Sequence, residues 1–250
     1  MIKYKTEQEI EVMTEAGRRL KKVVEKLLPQ IKAGMSTLEI DREAERLIVE
    51  EGGQSSFKKV NGYHWSTCLT INEQVVHTPP SKRILKAGDV LTVDIGLFYR
   101  GFHSDYSTTF IVDGKSDAKT EKFLKVGEET LEKAIKKAIA GRRIGEISDT
   151  IGKNIYGHGY FIMKDLTGHG IGRELHEDPY VFGYNERPVE KTIVIKPGLV
   201  IAIEIIYSMG TEEIAYEKGD SWSIVTADGS LSACFEHTVA ITKHGTRVLT

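Results

Sequence analysis

The stretch DVLTVDIGLFYRGFHSDYSTTF, Asp89 to Phe110, decides how the chain is read. Val90 to Leu97 is β-branched or apolar almost throughout, the pattern of a strand buried on at least one face, yet Asp94 stands in its middle. An unpaired ionised carboxylate in such a place costs several kcal/mol or more, so something must neutralise it. A hairpin turning about Tyr99-Arg100-Gly101 would set Asp94 directly opposite Asp105 on one face. Opposed Cβ atoms lie about 5 Å apart, and two like charges there are destabilising unless a cation lies between them. The hairpin therefore predicts a metal site as well as a pair of strands.

Three further ionisable residues stand at equally improbable positions. Glu204 interrupts LVIAIEII, Leu199 to Ile206; Glu236 interrupts ACFEHTVAI, Ala233 to Ile241; His169 lies in TGHGIG, Thr167 to Gly172, where flanking glycines allow a close approach of backbone and ring. Taken singly, a strand carboxylate pairs with Lys or Arg or faces water. Together, four carboxylates and one imidazole drawn from both halves of the chain suit two divalent cations of the Mn, Fe, Co or Zn type better than one. Two such ions about 3.5 to 4 Å apart can hold a hydroxide at neutral pH, because metal binding lowers the pKa of water to around 7. The residue types point to hydrolysis.

Outward from these strands the chain alternates helices and strands. Thr6 to Leu28 reads as an amphipathic helix with Thr6 and Glu9 as its capping box, and Ser36 to Glu51 repeats the logic with Ser36 and Glu39. A second helical pair is predicted at about Ala118 to Ala140 and Glu146 to Tyr156, followed again by strands. A single constant offset lays Ala33-Gly34 on Ala140-Gly141, Glu39-Ile40 on Glu146-Ile147, Ile48 on Ile155 and Gly52 on Gly159. These matches predict a duplicated unit and a two-fold-like α/β architecture. No Pro/Gly/Ser-rich linker divides the halves, so residues 1–250 are expected to form a single domain with a shared core and a cleft between the halves.

A net charge of −2, with 40% hydrophobic and 28% charged residues, describes an ordinary globular protein. Acidic and basic residues are intermixed, which leaves no basic stripe for nucleic acid or a membrane surface. The segment MIKYKTEQEIEVM has no apolar core for export, and Lys196, Pro197 and Glu204 interrupt the most hydrophobic run, so a cytoplasmic protein is expected. In that setting Cys68 and Cys234 are expected as free thiols. The lack of heptads or a long exposed apolar stripe favours a monomer.

Five segments in order, INEQVVH (Ile71 to His77), VDIG…FHSDYSTTF, GHGIGRELHEDP (Gly168 to Pro179), PGLVIAIE (Pro197 to Glu204) and SLSACFEHTVAIT (Ser230 to Thr242), resemble the motifs of the type I methionine aminopeptidases. The resemblance covers essentially the whole chain. It implies the pita-bread α/β (α+β) fold, a pseudo-two-fold pair of helix-helix-strand halves around a central, mostly antiparallel sheet. It implies Asp94, Asp105, His169, Glu204 and Glu236 as ligands of two divalent ions, with Asp105 and Glu236 bridging. The pattern of misplaced acids and imidazole selects the same five.

The resemblance further implies removal of N-terminal methionine from nascent polypeptides at the ribosome when the second residue is small, by attack of a hydroxide held between two metals. His77 and His176 would contact the scissile peptide, Glu204 would act as general base, and Tyr63, Cys68 and Trp222, with Phe57 nearby, would line the methionine pocket. The interval from Glu204 to Glu236 is too short for the helical insertion of type II enzymes, and a compact bacterial-type enzyme is expected. Four places depart from the family pattern: Thr78-Pro79-Pro80 after the first histidine, Ile205 after the metal-binding glutamate, Leu175 beside the pocket, and His64-Trp65 after Tyr63. They bear on pocket shape and leave the metal ligands untouched. Rival readings are a proline-specific peptidase on the same fold and a metal-free binding module.

Overall fold

The computed structural model describes residues 1–114 and 116–250. Both predicted capping boxes form. Thr6 accepts from Glu9 N and starts α1 (Glu7–Leu27), and Ser36 accepts from Glu39 N and starts α2 (Thr37–Glu50). Short strands β1 (Gln54–Ser55), β2 (Thr67–Ile71) and β3 (Gln74–Val76) lead to the long hairpin of β4 (Val90–Tyr99) and β5 (Phe102–Ile111). The second half repeats the order with α3 (Ala118–Ile135) and α4 (Ile144–Gly157). Its strands are β6 (Phe161–Ile162), β7 (Thr167–Gly170), β8 (Glu177–Phe182), β9 (Val200–Ser208), β10 (Ile214–Tyr216), β11 (Ile224–Thr226), β12 (Ser232–Thr242) and β13 (Gly245–Val248). The third helix stops at Ile135, short of its predicted limit at Ala140: Lys136 caps it, and beyond the turn Gly141 N–H bonds to Ile195 O instead of continuing the helical ladder. The fourth begins earlier than expected, at Ile144.

One sheet carries the order β1-β4-β5-β12-β9-β7-β8, with every pairing antiparallel. Side chains alternate across it. Val93, Ile95 and Leu97 of β4 pack with α1 and α2, and Ile201, Ile203, Ile205 and Tyr207 of β9 pack with α3 and α4. The interior is therefore divided: each half dominates one large apolar cluster, and two smaller clusters join the halves. The face turned away from the helices is polar, presenting Asp94, Asp105, Ser107, Thr109, Glu204 and Glu236, and the small sheet β10-β11-β3 adjoins it.

The hairpin register corrects the expected one. The turn is Arg100-Gly101 alone, at φ +48° and +87°, the left-handed pair that a tight hairpin loop requires. Tyr99 then pairs with Phe102, Asp94 with Ser107, and Asp105 with Gly96, so the two aspartates are displaced along the ladder instead of opposed. The displacement is an even number of positions, which preserves the face, and both still point the same way.

The duplication holds at the level of backbone hydrogen bonds. Gly34 N donates to Leu85 O and Gly141 N to Ile195 O, both at 2.9 Å; Leu85 N donates to Met35 O and Ile195 N to Arg142 O, both at 2.8 Å. Aligning the first residues of β4 and β9 matches Val90 with Val200 and Asp94 with Glu204. The two halves thus deliver an acid to the same position on equivalent strands.

Candidate metal centre

Ladder geometry brings the acids together before any ion is invoked. Glu204 and Glu236 are directly opposed on β9 and β12, and Glu236 is opposed on its other side to Ser107, whose further neighbour on β4 is Asp94. Across β9, His169 pairs with Ala202, which carries its ring toward Glu204: Nε2 lies 3.4 Å from Glu204 Oε1. Ligand atoms of Asp105, His169 and Glu236 all fall within 4.8 Å of one another. Asp105, His169 and Glu236 are buried, whereas Asp94 and Glu204 are half-buried and face a cavity of about 400 Å³.

The electrostatics of this cluster are unfavourable on their own. Burial pushes the Asp94 carboxyl up to about 7. Burial, then the neighbouring carboxylates, raise Asp105, Glu204 and Glu236 well above the usual carboxylate range. No lysine or arginine lines the cavity among the described residues, and Asp94 Oδ1 and Glu236 Oε1 are buried without a hydrogen-bond partner. Natural proteins rarely leave buried acceptors orphaned, and each such group calls for an explanation.

His169 is prepared as a donor to a cation. Its Nδ1 lies 2.9 Å from Gly170 O, and because a carbonyl can only accept, the hydrogen sits on Nδ1 and the lone pair on Nε2. Burial, aided by the nearby His176, holds its pKa down to about 3, so the ring is neutral. One neutral imidazole and four carboxylates form a mixed nitrogen and oxygen set suited to divalent ions of the manganese to zinc series.

The remaining expected residues line the same cavity. His77 follows β3 at φ +61°, a left-handed conformation that costs a non-glycine residue about 1 kcal/mol or more. The next residue, Thr78, is fixed by Leu69 N donating to its carbonyl at 3.1 Å. His176 stacks edge-on to His169 with ring centroids 4.5 Å apart, and both His77 and His176 are exposed to the cavity. The adjoining wall is largely apolar and begins at Cys68, which pairs with Asp94 across β2 and β4. Tyr63 O–H donates to Thr67 O at 2.8 Å and lies 3.1 Å from Cys68 Sγ, while Trp222 packs edge-on at 5.1 Å. Phe57 and Leu175 also line this wall, and Cys68 and Cys234 are both free thiols.

Two contributors escaped the sequence reading. Asp41 on α2 is buried, and its Oδ1 accepts from Ser66 N at 2.8 Å, Thr67 N at 2.9 Å and Thr67 Oγ1 at 2.8 Å, fixing the strand that carries Cys68. Its signal was a carboxylate beside the apolar stripe of a helix, which resembles any solvated helical acid. Tyr180, on an edge strand at the cavity mouth, gave no signal at all.

Comparison with known proteins gives this constellation its setting. The family model described as metallopeptidase family M24 matches residues 11–243. The chain belongs to metallopeptidase family M24. Methionine aminopeptidase 1 of Bacillus subtilis (strain 168) is 40% identical over 250 residues, covering 100% of this chain and 99% of the relative. The crystal structure of methionine aminopeptidase from Thermotoga maritima superimposes with a TM-score of 0.95 at 36% identity, over 100% of this chain and 99% of that one. Prolidase from Pyrococcus furiosus, 24% identical, shares the fold with a TM-score of 0.80 over 99% of this chain and 65% of its own. The pita-bread architecture and the type I methionine aminopeptidase resemblance are borne out, and M24 membership makes the chain a hydrolase that uses divalent metal.

Proposed function

We propose that residues 1–250 act as one catalytic domain that removes the N-terminal methionine from nascent polypeptides when the second residue is small, using two divalent ions held by Asp94, Asp105, His169, Glu204 and Glu236. The observation that carries this reading is the convergence of those five groups, uncompensated by any lysine or arginine among the described residues, in one cavity with Tyr63, Cys68 and Trp222. When bound, the ions supply Lewis acidity for the substrate carbonyl and acidify a water. The names of the relatives, methionine aminopeptidases from bacteria, support the substrate. A cytoplasmic, monomeric enzyme meeting its substrates at the ribosome is part of the same proposal; no helix among the described residues is long and apolar enough to cross a membrane.

The chain's own residues divide the work. In this reading Glu204 takes a proton from the attacking water and carries it to the leaving amine, help worth about 10² to 10⁴ in rate. His77 and His176, both at the mouth, donate to the oxyanion or hold the second residue, where a single well-aimed donor is worth about 10² to 10³. Tyr63, Cys68 and Trp222 receive the methionine side chain, whose full burial is worth about 1.5 to 3 kcal/mol, with the thioether against aromatic rings. Burial and the adjacent Cys68 keep the Tyr63 phenol protonated, so it remains a donor to Thr67 O and holds the wall in place.

Hydrolysis of Met-Ala-Ser by the metal-loaded protein tests the proposal, with N-acetyl-Met-Ala-Ser and a Pro-leading peptide as controls. Cleavage of the first alone is expected. Cleavage of the blocked peptide would refute an exopeptidase, and an activity indifferent to EDTA would refute the metal centre.

A further inference from the structure

β8 is the last strand of the large sheet, so among the described residues one edge of its backbone has no strand partner. Its side chains alternate strictly between buried and exposed, and the exposed positions include Tyr180 at 60% and Phe182 at 38%. Exposed aromatic residues on a sheet edge invite another extended chain, a liability that soluble proteins ordinarily blunt with charge or proline; β8 carries both at its start, Asp178 and Pro179, but neither from Tyr180 to Tyr184. Here the row is continued by Tyr184, next on the same side: ring centroids are 6.1 Å apart from Tyr180 to Phe182 and 6.0 Å from Phe182 to Tyr184. Same-face side chains of an extended peptide repeat at about 6.6 Å, close to this spacing. The row also has a beginning. Tyr180 lines the catalytic cavity, whereas Phe182 and Tyr184 lie outside it, so the rings lead outward from the site along a free edge.

We propose that this edge is a subsite for the substrate itself: the segment from the third residue onward lies extended along β8, with apolar side chains at alternate positions against Tyr180, Phe182 and Tyr184. The inference rests on the aminopeptidase function proposed above. Continuity with the cavity selects this occupant, because a peptide whose N-terminus is held at the metal ligands must leave past the mouth that Tyr180 lines. Strand addition at an edge supplies sequence-independent backbone hydrogen bonds, and alternate side chains supply the preference. The enzyme then reads apolar character downstream of the residue pair that defines cleavage.

The test compares Met-Ala-Leu-Ser-Leu-Ser-Leu with Met-Ala-Ser-Ser-Ser-Ser-Ser and with Met-Ala-Ser, using the Mn²⁺-loaded full chain. The leucine peptide should show a KM about tenfold lower than the serine peptide at similar kcat, the size of effect expected from burying a side chain against an aromatic ring. Phe182→Ser should bring the two KM values within about twofold, and Phe182→Leu should keep most of the difference. Equal KM values for the wild type, or a preference untouched by Phe182→Ser, would overturn the subsite. A dimer in sedimentation that Phe182→Ser dissociates would assign the rings to a second copy and overturn it as well. Failure to cleave Met-Ala-Ser at all is a separate result, which removes the aminopeptidase reading and the subsite with it.

Discussion

Glu204 is opposed to Glu236 in the ladder and touches His169, with a carboxyl held protonated well above its usual range in the absence of a cation. Replacing it with the isosteric glutamine removes proton transfer while relieving like-charge repulsion. Glu204→Gln should therefore fold with at least wild-type stability and lose at least about 10² in kcat, read by steady-state hydrolysis of Met-Ala-Ser. Near-normal turnover would refute its role as base. Asp41 behaves oppositely: it does not line the cavity, but three donors converge on its Oδ1. Asp41→Ala leaves Ser66 N and Thr67 N buried without an acceptor, at about 1 to 3 kcal/mol for each orphaned group, and urea denaturation should show a loss of about 2 to 6 kcal/mol. At this scale the clustered acids were legible because a carboxylate breaks an apolar pattern. His77 and His176 were not, since an exposed histidine looks the same at a cleft mouth as on any surface, and its use depends on neighbours that folding supplies.

Helix α3 packs on β9 and β12 through Gly127, where an added Cβ would meet Tyr207 Oη and, at 2.7 Å, Phe235 Cδ2. Helix propensity alone predicts that Gly127→Ala stabilises by up to about 1 kcal/mol. Overpacking of this severity costs about 1 to 3 kcal/mol, and one contact is with a phenol fixed by its own hydrogen bond to Phe123 O, so the clash wins. Thermal unfolding should show a lowered Tm; a raised one would mean that the helix shifts freely on the sheet. The β4-β5 hairpin shows where elements were harder to read. Its strands and its face were evident from composition, but the register depended on whether Tyr99 belongs to the turn or to the strand. Arg100 at φ +48° carries no mark in the sequence, whereas the usual residue for that position would be asparagine or glycine. Arg100→Asn should accordingly stabilise by about 0.5 to 1 kcal/mol, measured by urea denaturation.

Across the whole molecule, the centre couples stability to pH and to metal. A carboxyl whose folded pKa lies above its unfolded value of about 4 binds protons more tightly in the fold. Its contribution is fully present below about pH 4 and is lost as the pH rises through the folded value, which is about 7 for Asp94. In EDTA the Tm should therefore fall between pH 7 and pH 8, above the range where buried histidines such as His169 act with the opposite sign, and Mn²⁺ or Co²⁺ should restore it, by about 2.7 kcal/mol of stability at a free concentration 100 times Kd. A metal-free Tm that rises over that range would contradict the clustering of these acids. The overall architecture was the most legible level of all, because helical pairs, the strands after them and the Ala-Gly and Glu-Ile dipeptides recur in register between the halves. The division of the interior into half-specific clusters was not, since apolar residues do not announce their partners.

That repetition gives the molecule a built-in control experiment. Gly34 and Gly141 hold the same conformation, φ +90° and +89°, make the same hydrogen bond, and leave open space where a Cβ would go. An alanine at either place meets the same backbone penalty, so a difference between the twin variants measures how tightly each half is harnessed to the chemistry at their seam.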